Sequence, residues 1–375
     1  MKLGLVCISE LLKEEDSSNA FRRVTRKKFI EMRDNDEDEA FTYLSDLIIH
    51  NLELTSKVIE HCQKNDISHY RISSSLFPLI TDPTLNFAIS DLPKFQDIVL
   101  KMKNVGSTAK KCGISVSMHP DQYNVLASTN SEAVEKTINE LNFTGLVLSI
   151  MGFEEDYSCP VNIHVNCSTK NCEEIELKQI VDRFMESFER LDAPIKSRLV
   201  LENEDKGCWS CGNLFKWFHL YCGAEYDHPF PLTYDNLHHK CNPAYVNEEA
   251  VSDKQNVDAF YHTWPEDVTP VFHWSEGTKD NPRSHTDYYS DGIPDFERVV
   301  VWECEVKAKD KAILKLLGKK PTETNSRFAE LANLGDTIEY DETLSEKEEL
   351  ELAKAKIAKA QNQKLTQGYN AIYGV

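Results

Sequence analysis

Short β-branched and apolar runs alternate along this chain with long stretches in which apolar residues recur every three or four positions. The first kind of run predicts buried strands, and the second predicts amphipathic helices packed by one face. Eight candidate strands stand out: Leu3–Cys7, His69–Ser73, Ile114–Met118, Val161–Val165, Leu199–Glu202, Pro231–Tyr234, Pro270–Trp274 and Val299–Glu303. Helical patterns such as Asp38–Asn65, Asp91–Cys112, Ser131–Met151 and Glu174–Leu191 lie between them. Repeated strand–helix units build a parallel sheet, and eight of them fit a closed (β/α)8 barrel.

Two segments depart from the alternation. Residues 11–39 form an insert of mixed charge after the first strand, in which Arg22-Arg-Val-Thr-Arg-Lys-Lys28 precedes the acidic run Asp34–Glu39. Such an insert begins at a strand's C-terminal end, the face on which barrels keep their active sites. Its basic run reads either as a solvated helix face or as a phosphate contact. From about Pro321 the composition turns to Glu, Lys and Ala, and Ser345 with Glu348 makes a capping box that opens a helix through about Asn362. The division expected is a barrel over residues 1–320 and a helical C-terminal extension over 321–375.

Composition narrows the class. Of 375 residues, 41% are hydrophobic, enough for a packed core, which excludes disordered and fibrous classes. The longest apolar run, Gly145 to Phe153, is far below the roughly 20 residues a bilayer span needs. The N-terminus lacks the apolar core and cleavage site of a signal peptide. A soluble protein is expected, cytoplasmic or nucleoid-associated, monomeric and without membrane partners; nothing in the sequence identifies a protein partner. The eleven cysteines are scattered, and Cys208-Trp-Ser-Cys211 is the only CxxC pair, so reduced thiols are expected rather than a disulfide framework or a zinc ribbon. The formal charge of −20 argues, taken alone, against a nucleic-acid partner.

Candidate chemistry falls at the strand ends. His119 follows the third strand, His164 lies in the fourth and Glu202 ends the fifth. Asp235 and His238 follow the sixth, His273 lies in the seventh, and Glu303 and Glu305 lie in or just after the eighth. A barrel brings these ends to one mouth. Mixed imidazole and carboxylate ligands without cysteine suit Zn²⁺, Mn²⁺ or Fe²⁺, and a carboxylate such as Glu202 can bridge two ions. Ions about 3.5–4 Å apart clamp a phosphate and stabilise the leaving oxygen in an in-line displacement, which is hydrolytic phosphoester chemistry. A single histidine here would read as a core or surface residue; recurrence at strand after strand makes the set. His239 competes with His238 for one ligand position, and His285, in a polar loop after the seventh strand, reads equally as ligand or loop residue. His69 heads its strand at the end away from the mouth. With His50, His61, His219, His228 and His262 it receives no role.

The segments Tyr70-Arg-Ile-Ser-Ser-Ser-Leu-Phe-Pro-Leu79, His119-Pro-Asp-Gln-Tyr123, Asn162-Ile-His-Val165, Leu201-Glu-Asn-Glu-Asp205, Tyr234-Asp-Asn-Leu-His-His239 and Phe272-His-Trp-Ser275 resemble, in order, the motifs of the UV damage endonuclease family. The resemblance covers Met1 to about Leu317. It implies a TIM barrel related to endonuclease IV, holding two or three divalent ions, Mn²⁺ foremost, with Mg²⁺, Zn²⁺ or Fe²⁺ as other candidates. It implies that damaged double-stranded DNA is nicked immediately 5′ to pyrimidine dimers, 6-4 photoproducts and some other lesions such as abasic sites, leaving a 3′-hydroxyl and a 5′-phosphate. It places His119, His164, Glu202, Asp235, His238, His273 and His285 at ligand positions, with Glu202, His119, His164, Asp235 and His273 as the catalytic set. Gln122 and Tyr123 take the pair that probes the damaged nucleotides.

Three departures matter. Leu5 stands where the family commonly has a lesion-probing Tyr, offering only apolar contact. Val271 stands where many members carry a Lys, carboxylated in some. The last motif reads Glu303-Cys-Glu-Val-Lys-Ala-Lys-Asp-Lys311, so Glu303, Glu305 and Lys307 compete for the final ligand position. A cation would repel the ions, which favours Glu305. The acidic balance no longer excludes DNA, because ligand carboxylates are neutralised by metal and Asp336–Ala360 alone holds eight acids against four lysines. An abasic-site endonuclease, a sugar isomerase on the same fold and a damage-sensing protein that does not cut are the competing readings.

Overall fold

Eight parallel strands run through the described residues, 1–120 and 124–320, of a computed structural model. They are β1 (Lys2–Val6), β2 (His69–Ile72), β3 (Ser115–Met118), β4 (Val161–Ile163), β5 (Leu199–Glu202), β6 (Leu232–Thr233), β7 (Val271–Trp274) and β8 (Val301–Cys304). They pair in the order β6-β5-β4-β3-β2-β1-β8-β7. A parallel bridge between Asp235 and His273, with the His273 N–H donating to the Tyr234 carbonyl at 2.8 Å, brings β6 onto β7 and closes the barrel. This is the TIM barrel the alternation predicts. The 321–375 extension, with its helix from Ser345 to Asn362, lies outside the described residues, as do Gln122 and Tyr123.

Helices follow the strands wherever the sequence carries helical periodicity. Glu37–Lys64 is capped by the Asp36 carboxylate, which accepts from the Glu39 N–H at 2.9 Å, and buries a stripe that includes Leu44, Leu47, Ile48 and Leu52. Phe95–Cys112 ends at Gly113, whose φ of 66° a residue with a Cβ adopts with strain. The seventh unit departs from the repeat: residues 275–300 between β7 and β8 form no helix. Two glycines, two prolines and a largely polar composition leave that segment without an apolar stripe.

Side chains alternate across each strand. Outward positions such as Tyr70, Ile163, Leu201, Phe272 and Trp302 are buried against the helix layer, with Phe272 and Trp302 in edge contact at 5.8 Å. Many inward positions are polar: His69 and Arg71 on β2, Ser117 on β3, Asn162 on β4, Glu202 on β5, His273 on β7 and Glu303 on β8 bond one another inside the barrel. Barrel interiors are more often filled by branched apolar residues. Gly4 leaves room for this layer, since a Cβ there would lie 2.9 Å from the His69 ring and 3.4 Å from Glu303 Cγ.

The insert folds as two short helices, Glu10–Glu15 and Arg26–Asn35. Its basic run is exposed and partly engaged locally: Arg26 pairs with Asp82 at 3.3 Å, Lys27 with Glu31 at 3.8 Å, and Lys28 stands over the Tyr43 ring. The expectation of reduced thiols throughout fails at one place. Cys172 and Cys208 form a disulfide that ties the loop after β4 to the loop after β5. Cysteines 36 residues apart carry no local pairing signal, and only the adjacent barrel loops bring them together. None of the described helices is long and apolar enough to cross a membrane.

Candidate metal centre

Glu202, at the end of β5, sits at the hub of four imidazoles. Its Oε2 is 3.2 Å from His119 Nε2 and 3.6 Å from His164 Nε2, and its Oε1 is 3.0 Å from His238 Nδ1 and 3.1 Å from His273 Nδ1. The Asn162 amide, two residues before His164 on the same strand face, donates to Oε2. Among the described residues, three groups of ligand-type atoms each fall within 4.8 Å: His119, His164 and Glu202; Glu202, Asp235 and His238; and Asp235, His273 and Glu305. Glu202 belongs to the first two and Asp235 to the last two, so each carboxylate stands where it can bridge neighbouring ions.

Side-chain amides position the carboxylates where the strands splay. Asn203 accepts from the Asp235 N–H at 2.8 Å and donates to the Asp235 carbonyl at 3.0 Å, joining the ends of β5 and β6. Asn236 does the same for Ser275 beyond β7, at 2.8 and 2.9 Å. Asp235 also caps the helix Asn236–Cys241, accepting from the His238 N–H at 2.7 Å. That turn aims His238 into the cluster and sends its neighbour His239 elsewhere, to the Val251 carbonyl at 2.8 Å.

Backbone carbonyls hold two of the imidazoles. His119 Nδ1 is 3.0 Å from the Pro120 carbonyl, behind the Nε2 that faces Glu202, whereas His238 Nδ1 meets the Asn203 carbonyl at 2.9 Å on the same side as Glu202. A ring that donates one N–H to a carbonyl presents the other nitrogen's lone pair to a metal. In contrast, Asp235 Oδ2, His164 Nδ1 and His273 Nδ1 are buried without any hydrogen-bond partner. Buried polar atoms are rarely left so, and a cation between Asp235 Oδ2 and His273 Nδ1, 3.9 Å apart, would satisfy both. The donor set fits divalent metal binding.

Charge is distributed accordingly. Burial pushes Glu202 upward, but His273 and His164 outweigh it and hold its carboxyl well below the usual range. Burial similarly opposes Glu305, where the Arg71 guanidinium wins and draws it down to about 2. Burial lowers His164 to about 4, leaving it neutral with one ring nitrogen's lone pair free. Asp235 is raised by burial to about 6 despite His238.

The remaining expected residues fall less centrally. His285 lies at the rim, its Nε2 4.0 Å from Glu305 Oε2, outside the three groups. Glu305 faces the cluster, Glu303 lies one layer deeper, and Lys307 is exposed. Leu5 is a correction: it is fully buried, opposite in parity to the inward Gly4, and belongs to the core rather than to a surface that meets substrate. Sequence reasoning passed over Asn162, Arg71, Ser117 and His69. Their signal was polarity at alternate positions of otherwise apolar strands, visible only once those positions are taken to face inward.

The UV-endonuclease UvdE family matches residues 1–341. The chain belongs to this family. It is therefore an endonuclease acting on DNA, which selects among the readings above against the sugar isomerase and the protein that does not cut. A UV DNA damage endonuclease of Nostoc sp. is 27% identical over 317 residues, covering 84% of this chain and 89% of its own. One from Bacillus anthracis is 28% identical over 247 residues, covering 65% of this chain and 70% of its own. The crystal structure of SacUVDE is similar at a TM-score of 0.65 and 26% identity, covering 85% of this chain and 100% of that one. The family match runs past residue 320, where the composition changes.

Proposed function

We propose that this UV-endonuclease nicks damaged double-stranded DNA immediately 5′ to UV photoproducts, pyrimidine dimers and 6-4 photoproducts, leaving a 3′-hydroxyl and a 5′-phosphate. The observation that carries the reading is the trio of overlapping ligand groups sharing Glu202 and Asp235. In it His119, His164, Glu202, Asp235, His238, His273 and Glu305 hold two or three divalent ions, Mn²⁺ foremost, and His285 supports the third group beside Glu305. When bound, such ions clamp the phosphodiester, acidify the attacking water and stabilise the departing oxygen.

The chain's own residues set up that chemistry. Asn162, Asn203 and the Pro120 and Asn203 carbonyls lock ligand orientation, so little reorganisation remains at the moment of reaction. Gln122 and Tyr123, three and four residues after His119, are assigned the damaged nucleotides, an amide to hydrogen-bond exposed base edges and a phenol to stack where bases have parted. The enzyme works as a monomer inside the cell.

Purified protein with Mn²⁺, incubated with UV-irradiated and untreated plasmid, tests this. Selective nicking of the irradiated plasmid is expected, and equal, negligible nicking of both refutes it. A pyrimidine-dimer duplex compared with an abasic duplex separates this reading from an abasic-site endonuclease of the endonuclease IV type.

A further inference from the structure

Below the three ligand groups lies a second buried layer that the hydrolysis does not use. At its centre Glu303 takes four donors. Its Oε2 is 2.9 Å from Arg71 Nη1 and 3.1 Å from His273 Nε2; its Oε1 is 3.1 Å from His69 Nε2 and accepts the Ser117 hydroxyl. His69 is fixed in turn by Ser115 Oγ, 2.8 Å from its Nδ1. All but Ser115 are buried, and Glu303 is in none of the ligand groups.

The consequence falls on His273. One face of its ring, Nε2, meets Glu303 at 3.1 Å; Arg71 Nη1, itself only a donor, stands farther from that nitrogen, at 3.4 Å, than from Glu303, at 2.9 Å, so the carboxylate accepts from both. The other, Nδ1, faces Glu202 Oε1 at 3.1 Å, Glu305 Oε1 at 3.7 Å and Asp235 Oδ2 at 3.9 Å, without a hydrogen-bond partner. An imidazole that donates Nε2–H to a carboxylate carries its lone pair on Nδ1, here toward the cluster. A carboxylate with four donors cannot rotate away. Arg71 adds a second link: its Nη2 pairs with Glu305 while its Nη1 pairs with Glu303. One guanidinium thus spaces the carboxylate behind a ligand from a carboxylate within a ligand group.

We infer that Glu303 is a positioning residue that fixes the His273 tautomer for metal, and that Arg71 ties it to Glu305 so that the Asp235, His273 and Glu305 group is assembled before an ion arrives. The inference rests on reading His273 and Glu305 as ligands.

The test uses the full chain stripped with EDTA and titrated with Zn²⁺ against a chromophoric chelator, together with imidazole ¹⁵N spectra of the stripped protein before Zn²⁺ is added. Glu303→Gln should weaken one site by about 10–100-fold, leave the others unchanged, and convert His273 from a single Nε2–H form into a mixture of tautomers. Glu303→Asp keeps Arg71 neutralised, so the fold is preserved, yet draws the carboxylate back from Nε2; the same weakening is expected. Wild-type affinities and an unchanged His273 signal in both variants overturn the inference, including the case in which only thermal stability falls. His273→Gln is the control. If it keeps every site at wild-type affinity, the ligand reading fails; if it loses a site while Glu303→Gln does not, that reading stands and the positioning role alone is overturned.

Discussion

Asp235 and His273 form the bridge that closes the barrel, and the atoms they leave without partners, Oδ2 and Nδ1, stand 3.9 Å apart inside its mouth. Closing the fold and assembling the third ligand group are therefore one event. Among the described residues the β6–β7 seam has this single backbone bridge, reinforced by the paired Asn236–Ser275 hydrogen bonds, so an ion held across it acts on the fold as well as on the chemistry.

Metal removal should therefore lower stability. A ligand that binds only the folded chain stabilises it by about 2.7 kcal/mol per site at a hundredfold excess over its Kd. Thermal unfolding of the EDTA-stripped protein, repeated with rising Mn²⁺ or Zn²⁺, should show Tm climbing with metal concentration. A Tm indifferent to both ions contradicts the seam argument.

Glu202→Gln removes the charge that four imidazoles share. Partners that merely orient a ligand are worth about 10–100-fold, so loss of the hub should reduce nicking of irradiated plasmid by at least about a hundredfold. Binding to damaged duplex, followed by gel shift, should largely survive because the fold and the mouth surface remain. Full activity in this variant would remove Glu202 from the centre.

Glu204 provides a pH signature. Burial raises its carboxyl to about 7 from 4.5, although the Asn166 N–H donates to it at 2.7 Å. Between these values the folded protein holds a proton that the unfolded chain has released. The stabilisation is complete below pH 4.5 and is lost as pH rises through 7, a change of about 3 kcal/mol. Urea unfolding in EDTA should show Glu204→Gln gaining on the wild type by that amount between pH 4.5 and 8. Parallel pH profiles would exclude the effect.

Leu5→Tyr enlarges a fully buried side chain, which should lower stability by about 1–3 kcal/mol. The order of preference across a panel of lesions should stay as it is. A reordered preference with unchanged Tm would put residue 5 at the substrate surface after all.

Opening the Cys172–Cys208 disulfide frees the loops that follow β4 and β5. Cross-links of this span are worth about 2–4 kcal/mol, so dithiothreitol should lower the wild-type Tm. Cys172→Ser should start lower and no longer respond to reductant. Equal responses of the two proteins would mean that the bond contributes nothing.

The periodicities by themselves determined the barrel, because strand and helix each leave a local rhythm that tertiary context does not erase. They determined most of the centre too: with the C-terminal strand ends meeting at one mouth, His119, His164, Glu202, Asp235, His238, His273 and Glu305 had to converge. Four things waited for the fold. Which of His238 and His239 turns inward depends on the helical turn that Asp235 caps. Which of Glu303 and Glu305 joins the clustered ligand-type atoms depends on depth within the barrel, since both share one strand face and Arg71 pairs with each of them. The disulfide and the buried Leu5 depend on neighbours far away in sequence. A sequence records which face a residue takes; its depth on that face, and the partner it meets there, are decided only when other strands arrive to fill the space.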